Sequence, residues 1–259
     1  AGGRAPARLK AEMEVAGYAV QVFKDKDAVA RAAADVFVNL APQPHGNRRL
    51  FRVALAGGTT PQALYALLAS AEYRNRVAWD QVLFFFGDER AVPPDHPDSN
   101  YRRANDALFR PLDISGKNIY QMKADRPDLD AAAADYEREL HSAFEGARVP
   151  HFDLIFLGMG PDGHTASLFP GSSALAECTR LVVPVTDAPK PPPRRLTLTI
   201  PVLNAARLVL FMAVGADKAQ ALREVLKGTV SPDQYPAKYV RPGPERLAWL
   251  VDEAAGATL

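Results

Sequence analysis

Asp162 and His164 stand two residues apart in the stretch FDLIFLGMGPDGHTASLFPG, residues 152–171, just past an apolar run that reads as a strand. An imidazole beside a carboxylate at a strand end is the pairing expected of a general base working near neutral pH. The same stretch spaces Gly158, Gly160 and Gly163 as G-x-G-x-x-G, the dinucleotide-binding fingerprint. That fingerprint needs a long helix after the third glycine, aiming its N-terminus at a pyrophosphate. Here Pro170-Gly171 comes seven residues after Gly163, and Pro161 stiffens the loop. Asp187, at the end of LVVPVTD, is placed roughly where a ribose-binding acid would lie and favours the cofactor reading. The missing helix outweighs it. The glycines therefore read as a turn, and Asp162 and His164 as the chemistry.

Further candidates sit at other strand ends. In ALAGGTTPQALYALL, Gly57 and Gly58 let the backbone bend so that N–H groups point inward, the form of an anion cradle. Thr60 is expected to cap the next helix and Pro61 to occupy its first position, which would turn a helix N-terminus toward a phosphate. A plain strand-to-helix turn with a good cap uses the same residues, so both readings stand. Without G-x-x-x-x-G-K-[ST] it is no nucleotide P-loop. Asp88, Glu89 and Arg90 follow the apolar run VLFFF; three charges there need solvent, one another or a ligand, and a surface ion pair is the plainer reading. Arg194 and Arg195 after a proline run, and Lys218 after AVGAD, add separated cations. One cradle with several cations points to a small phosphorylated substrate. His45, His141 and His151 have no companions at metal-ligand spacing, and His96 in its Pro/Asp-rich turn reads as structural. No metal is expected.

These residues need a scaffold that brings strand ends together. Strands are expected at 18–23, 51–56, 82–86, 153–157, 181–185, 195–200, 207–214 and 247–252. Helices are expected at 27–40, 62–69, 100–109 (capped by Ser99), 129–144 and 217–227, with a loop over 87–99. Continuous apolar strands alternating with helices mean an α/β fold, a mostly parallel sheet with helices on both faces. Ligands collect at the carboxyl ends of such strands, here near Gly57, Gly87, Gly158 and Gly215. The proline-rich segment 188–195 reads as a stiff loop.

The formal net charge of +1 predicts no broad attraction to nucleic acid or anionic membranes, so any basic site is local. The single cysteine, Cys178, excludes an intrachain disulfide and reads as inert. The longest apolar run, Leu208–Val214, is too short to span a bilayer, and AGGRAPARLK has no apolar segment behind it. A cytoplasmic protein is expected, a single α/β domain over 1–259 with a flexible tail at 1–12.

Five segments, GGTTP, FFFGDERAVPPDHPDSNYR, LGMGPDGHTASLFPG, PKPPPRRLTLT and VGADKAQAL, occur in this order and span most of the chain. Together they resemble the glucosamine-6-phosphate isomerase/6-phosphogluconolactonase family, and its lactonases more than its deaminases. The resemblance implies a Rossmann-like fold and the hydrolysis of 6-phosphoglucono-δ-lactone in the pentose phosphate pathway. It makes His164 the base that activates water and Asp162 a residue that shapes and polarises the site. Gly57, Gly58, Thr59 and Thr60 would lie along the substrate, Arg195 and Lys218 would hold its phosphate, and Asp88, Arg90 and Asn100 would line the sugar-ring side. A lactone carbonyl is already electrophilic, so no cofactor is expected; the only partner expected is the phosphorylated sugar lactone, met by a monomer. Two positions depart from the family pattern: Ala56 stands where Ser often precedes the glycines, and Arg194 where an acid commonly precedes the arginine. The deaminases typically read Asn-Glu-Pro where this chain has Leu168-Phe169-Pro170, so the acid for assisted ring opening is missing. A non-catalytic sugar-phosphate sensor would normally add a DNA-binding domain, and no helix-turn-helix region is left over.

Overall fold

Asp25, Ser99 and Asp128 each set a helix start. Their side chains accept from the backbone N–H of Ala28 (2.9 Å), Arg102 (3.1 Å) and Ala131 (3.0 Å), satisfying donors that a first turn leaves unpaired. The computed structural model describes residues 13–15, 18–44, 46 and 49–259; the expected tail at 1–12 and His45 lie outside these. In chain order the elements are β1 (Met13–Val15), β2 (Tyr18–Phe23), α1 (Lys26–Leu40), β3 (Phe51–Leu55), α2 (Thr59–Leu68), β4 (Val82–Phe86) and β5 (Asp88–Arg90). Then come α3 (Asn100–Ala104), α4 (Leu129–Ala143), β6 (Leu154–Gly158), β7 (Val182–Val185), β8 (Arg195–Leu198) and α5 (Ile200–Ala205). The chain closes with β9 (Val209–Ala213), α6 (Ala219–Lys227), β10 (Leu247–Asp252) and α7 (Glu253–Gly256).

The main sheet has the order β1-β2-β10-β9-β6-β3-β4. Six of its strands are parallel, and β1 pairs antiparallel with β2 at one edge. From β3 the chain steps outward to β4; from β6 it steps the other way, to β9 and β10. The crevice between the carboxyl ends of β3 and β6 is therefore the topological switch point, where such sheets bind ligands. Helices cover both faces. Phe84 and Phe86 pack on Phe109 on one side of β4, while Phe85 packs on Tyr120, Phe144 and Phe152 on the other, as the period of two requires. One continuous apolar core joins these layers. No helix among the described residues is long and apolar enough to cross a membrane.

Three expectations are corrected. The segment Asp88–Arg90, expected in a loop, is strand β5 of a second, antiparallel sheet ordered β5-β8-β7. Gly87 is the junction: its N–H donates to Leu55 of the main sheet (2.9 Å) and its carbonyl accepts from Leu198 of the small one (2.8 Å). Second, Thr60 does not cap α2. Gly58, at φ +104°, turns the chain one step earlier, so the helix begins at Thr59 and no side chain caps it. Third, Ile200 ends no strand; it opens the short helix α5.

Candidate active site

A cleft of about 450 Å³ opens at the switch point, within the range of small-molecule sites. Its walls come from the turn after β3 (Ala56–Pro61), from Gly87, Asp88 and Arg90, from the end of β6 through Pro161, and from His164, Arg195 and Lys218. Phe156, Leu157, Met212 and Val214 form an apolar side. Of the residues expected at the site, Gly57, Gly58, Thr59, Thr60, Asp88, Arg90, His164, Arg195 and Lys218 line this cleft. Asp162 and Asn100 do not line it; each is bonded to a residue that does.

The loop after β6 fixes the imidazole. His164 Nδ1 lies 2.5 Å from Asp162 Oδ1. With Nδ1–H donating to that carboxylate, Nε2 carries the free lone pair. The His164 carbonyl accepts from Gly160 N–H (2.9 Å), and the imidazole stacks on Phe169 with ring centroids 4.6 Å apart. Gly160 is required here: a β-carbon would fall 2.0 Å from His164 Nδ1 and 2.4 Å from Asp162 Oδ1. Burial pushes the Asp162 carboxyl up, but the hydrogen bond and charge of His164 and the charge of Lys190 outweigh it and hold the group well below the usual carboxylate range. Downstream of His164, Ala166 lines the cleft with φ +49°, a left-handed conformation uncommon for a residue with a β-carbon.

Opposite, the surface ion pair expected of Asp88, Glu89 and Arg90 is replaced by a buried network. Asp88 Oδ2 accepts from Ser167 Oγ (2.6 Å) and Oδ1 from Asn100 Nδ2 (3.2 Å). Glu89 Oε1 accepts from the N–H of Arg90 and Asn100, both at 2.7 Å, and Oε2 from Tyr101 N–H (2.8 Å) and Ser99 Oγ (3.1 Å). Burial pushes Glu89 up to about 7, against the pull of those backbone donors. Arg90 Nη1 donates to Asp98 O and Asn100 Oδ1, both at 2.8 Å, while its buried Nε has no hydrogen-bond partner.

Arg195 pairs in register with Arg90 across β5 and β8, so two guanidinium groups stand side by side on one wall. Its Nε donates to Pro192 O (2.9 Å) and its Nη2 to Lys190 O (3.0 Å), and its guanidinium lies 5.3 Å from the Phe169 ring centroid. Burial lowers its pKa, Asp88 opposing this and Arg90 adding to it. Arg194 is exposed, reaches Pro127 O and lies outside the cleft. Lys218, after β9, donates to Asp217 (2.6 Å). Sequence reasoning missed Lys190, whose Nζ lies 3.4 Å from Asp162 Oδ2, and Ser167, which holds Asp88. Both lie inside segments that carry the resemblance, PKPPPRRLTLT and LGMGPDGHTASLFPG, but neither residue type nor spacing singles them out there. His96, His141 and His151 are exposed and bond nearby backbone atoms. Cys178 is exposed. Among the described residues no three His, Cys, Asp or Glu side chains cluster as metal ligands, and no helix follows Gly163 within the fingerprint stretch.

Residues 24–249 match the family model of glucosamine-6-phosphate isomerases/6-phosphogluconolactonase. A 6-phosphogluconolactonase from a Synechocystis species is 45% identical over 209 residues, covering 80% of this chain and 84% of the relative. The Homo sapiens 6-phosphogluconolactonase is 41% identical over 218 residues, 83% of each chain. The solved structure of the Trypanosoma brucei 6-phosphogluconolactonase superposes with a TM-score of 0.78 at 29% identity, over 93% of this chain and 98% of that one. With the cleft at the switch point of a matching fold and the family model spanning nearly its whole length, this chain belongs to the glucosamine-6-phosphate isomerase/6-phosphogluconolactonase family.

Proposed function

We propose that this chain hydrolyses 6-phospho-D-glucono-1,5-lactone to 6-phospho-D-gluconate, with His164 as general base, in the oxidative pentose phosphate pathway. The carrying observation is the 2.5 Å contact between His164 Nδ1 and Asp162 in a cleft whose other walls hold Arg90, Arg195 and Lys218. The named relatives with high coverage are lactonases. Phe169 stacks on the imidazole at the position where the deaminase pattern has Glu, which favours the lactonase over the deaminase.

The chemistry follows from the atoms present. The phosphate rests against Arg195 and Lys218, and its binding energy holds the ring in place. Nε2 of neutral His164 takes a proton as the water oxygen attacks C1, and Asp162 stabilises the imidazolium that forms. A cation or N–H of the cleft meets the developing oxyanion. As the C1–O5 bond breaks, the imidazolium returns its proton to O5. Bond by bond, the step needs no cofactor and no covalent intermediate. Asp88, Arg90 and Asn100 serve the sugar-ring side, Asn100 by holding the other two. All the groups stand around one continuous core, which supports a single α/β domain.

Fresh lactone, with acid release followed against the spontaneous background, tests this. Release well above background is expected; a rate equal to background, or ammonia release from glucosamine 6-phosphate instead, would sink the reading.

A further inference from the structure

Beyond the expected phosphate contacts, the cleft holds one more cation. Lys190 lines it from the loop before β8, with its side chain 42% exposed and its Nζ 3.4 Å from Asp162 Oδ2. The other oxygen of the same carboxylate carries His164 Nδ1. A half-exposed ion pair contributes little to folding stability, so the contact calls for another account. The main chain of the same loop supplies one. The carbonyls of Lys190, Pro191 and Pro192 accept from Arg195 at 3.0, 3.4 and 2.9 Å, and Ala188 N–H closes the loop on Pro193 O (3.0 Å). One short segment thus seats the phosphate-side arginine with its backbone and reaches the base with its side chain.

We propose that Lys190 is a positioning residue for the hydrolysis: acting through Asp162, it holds the carboxylate in the plane that keeps Oδ1 on His164 Nδ1, and links that orientation to the seat of Arg195. This rests on the lactonase reading above. A free Oδ2 would let the carboxylate turn about its Cβ–Cγ bond and lose the alignment of the imidazole. Lys190 also opposes, at short range, the negative charge with which Asp162 favours imidazolium. The groups around the pair are few. His164 and Lys190 act on Asp162 electrostatically, Tyr235 packs on the loop at Gly163, and Arg195 reaches Phe169, on which the imidazole stacks.

Full-length Lys190→Ala and Lys190→Arg enzymes test this, through kcat and KM across pH and through 6-phosphogluconate affinity by calorimetry. For Lys190→Ala a fall in kcat of roughly tenfold is expected, with Arg partly restoring it. The acid limb of the rate profile should move to higher pH by about half a unit, because removing a nearby cation favours the protonated imidazole. Product affinity should stay within about twofold, since main-chain carbonyls still seat Arg195. Unchanged kcat and profile would overturn the proposal. So would a loss of product affinity matching the loss of kcat/KM, which would make Lys190 a substrate-binding cation. A fall in kcat with an unmoved pH profile would reduce it to a structural residue. Failure of the wild-type enzyme to hydrolyse the lactone refutes the lactonase reading itself, and is separate from any difference between variant and wild type.

Discussion

Glu89 shows how one residue's environment decides its consequences. Its carboxyl is buried among backbone donors at the rim of the site, and burial pushes it up to about 7 from an ordinary 4.5. The folded chain therefore binds this proton more tightly than the unfolded chain does. The resulting stabilisation is complete below about pH 4.5 and is lost as pH rises through about 7; each unit of displacement is worth about 1.4 kcal/mol. Urea unfolding of the Glu89→Gln variant at several pH values gives the reference. Gln loses part of the donor network and is offset at every pH, but it does not titrate. The wild type should lose stability relative to the variant between pH 4.5 and 7; a constant difference across that interval would show that Glu89 stays ionised in the fold. Its sequence neighbours gave no hint of this, because burial of the DER segment depends on β8, more than 100 residues away in the chain.

At the scale of elements, every main-sheet strand from β2 onward was legible, because buried parallel strands are continuous apolar runs. Asp162, His164 and the glycine turn were legible as strand-end residues, and Arg195 as a cation after the proline run. What stayed hidden depends on partners distant in sequence. Strand β5 is three residues long and charged, and exists only by pairing with β8. Helix α5, six residues with a proline near its start, carries too short a pattern to register. Lys190 sits in a proline loop whose path is fixed by Arg195, and the register of the α2 start turns on one backbone dihedral at Gly58. That last point is testable. Thr60→Ala should change stability by less than about 0.5 kcal/mol, since its side chain caps nothing; a loss of about 1 kcal/mol would restore it as the cap. Gly58→Ala, forced to φ +104°, should cost about 1 kcal/mol or more and weaken substrate binding by moving the Thr59 turn. Denaturant midpoints for the two variants, measured side by side, check both.

The whole molecule brings two groups of side chains, an imidazole–carboxylate pair and a set of cations, to one crevice. The main sheet delivers the turn after β3 and the His164 loop after β6 to the switch point, and the small sheet brings Arg90 and Arg195 alongside. Near-neutral net charge with cations gathered in one cleft suits a small anionic substrate rather than an extended polyanion. The central claim is that this assembly separates binding from chemistry: cations hold the phosphate, and His164 alone moves the proton. The most direct measurement is therefore His164→Ala, with lactone turnover and 6-phosphogluconate affinity determined on the same preparation. Turnover should fall by roughly 10² to 10⁴ while product affinity stays close to wild type. Turnover near the wild-type value, or a loss of affinity that accounts for the whole effect, would contradict the claim.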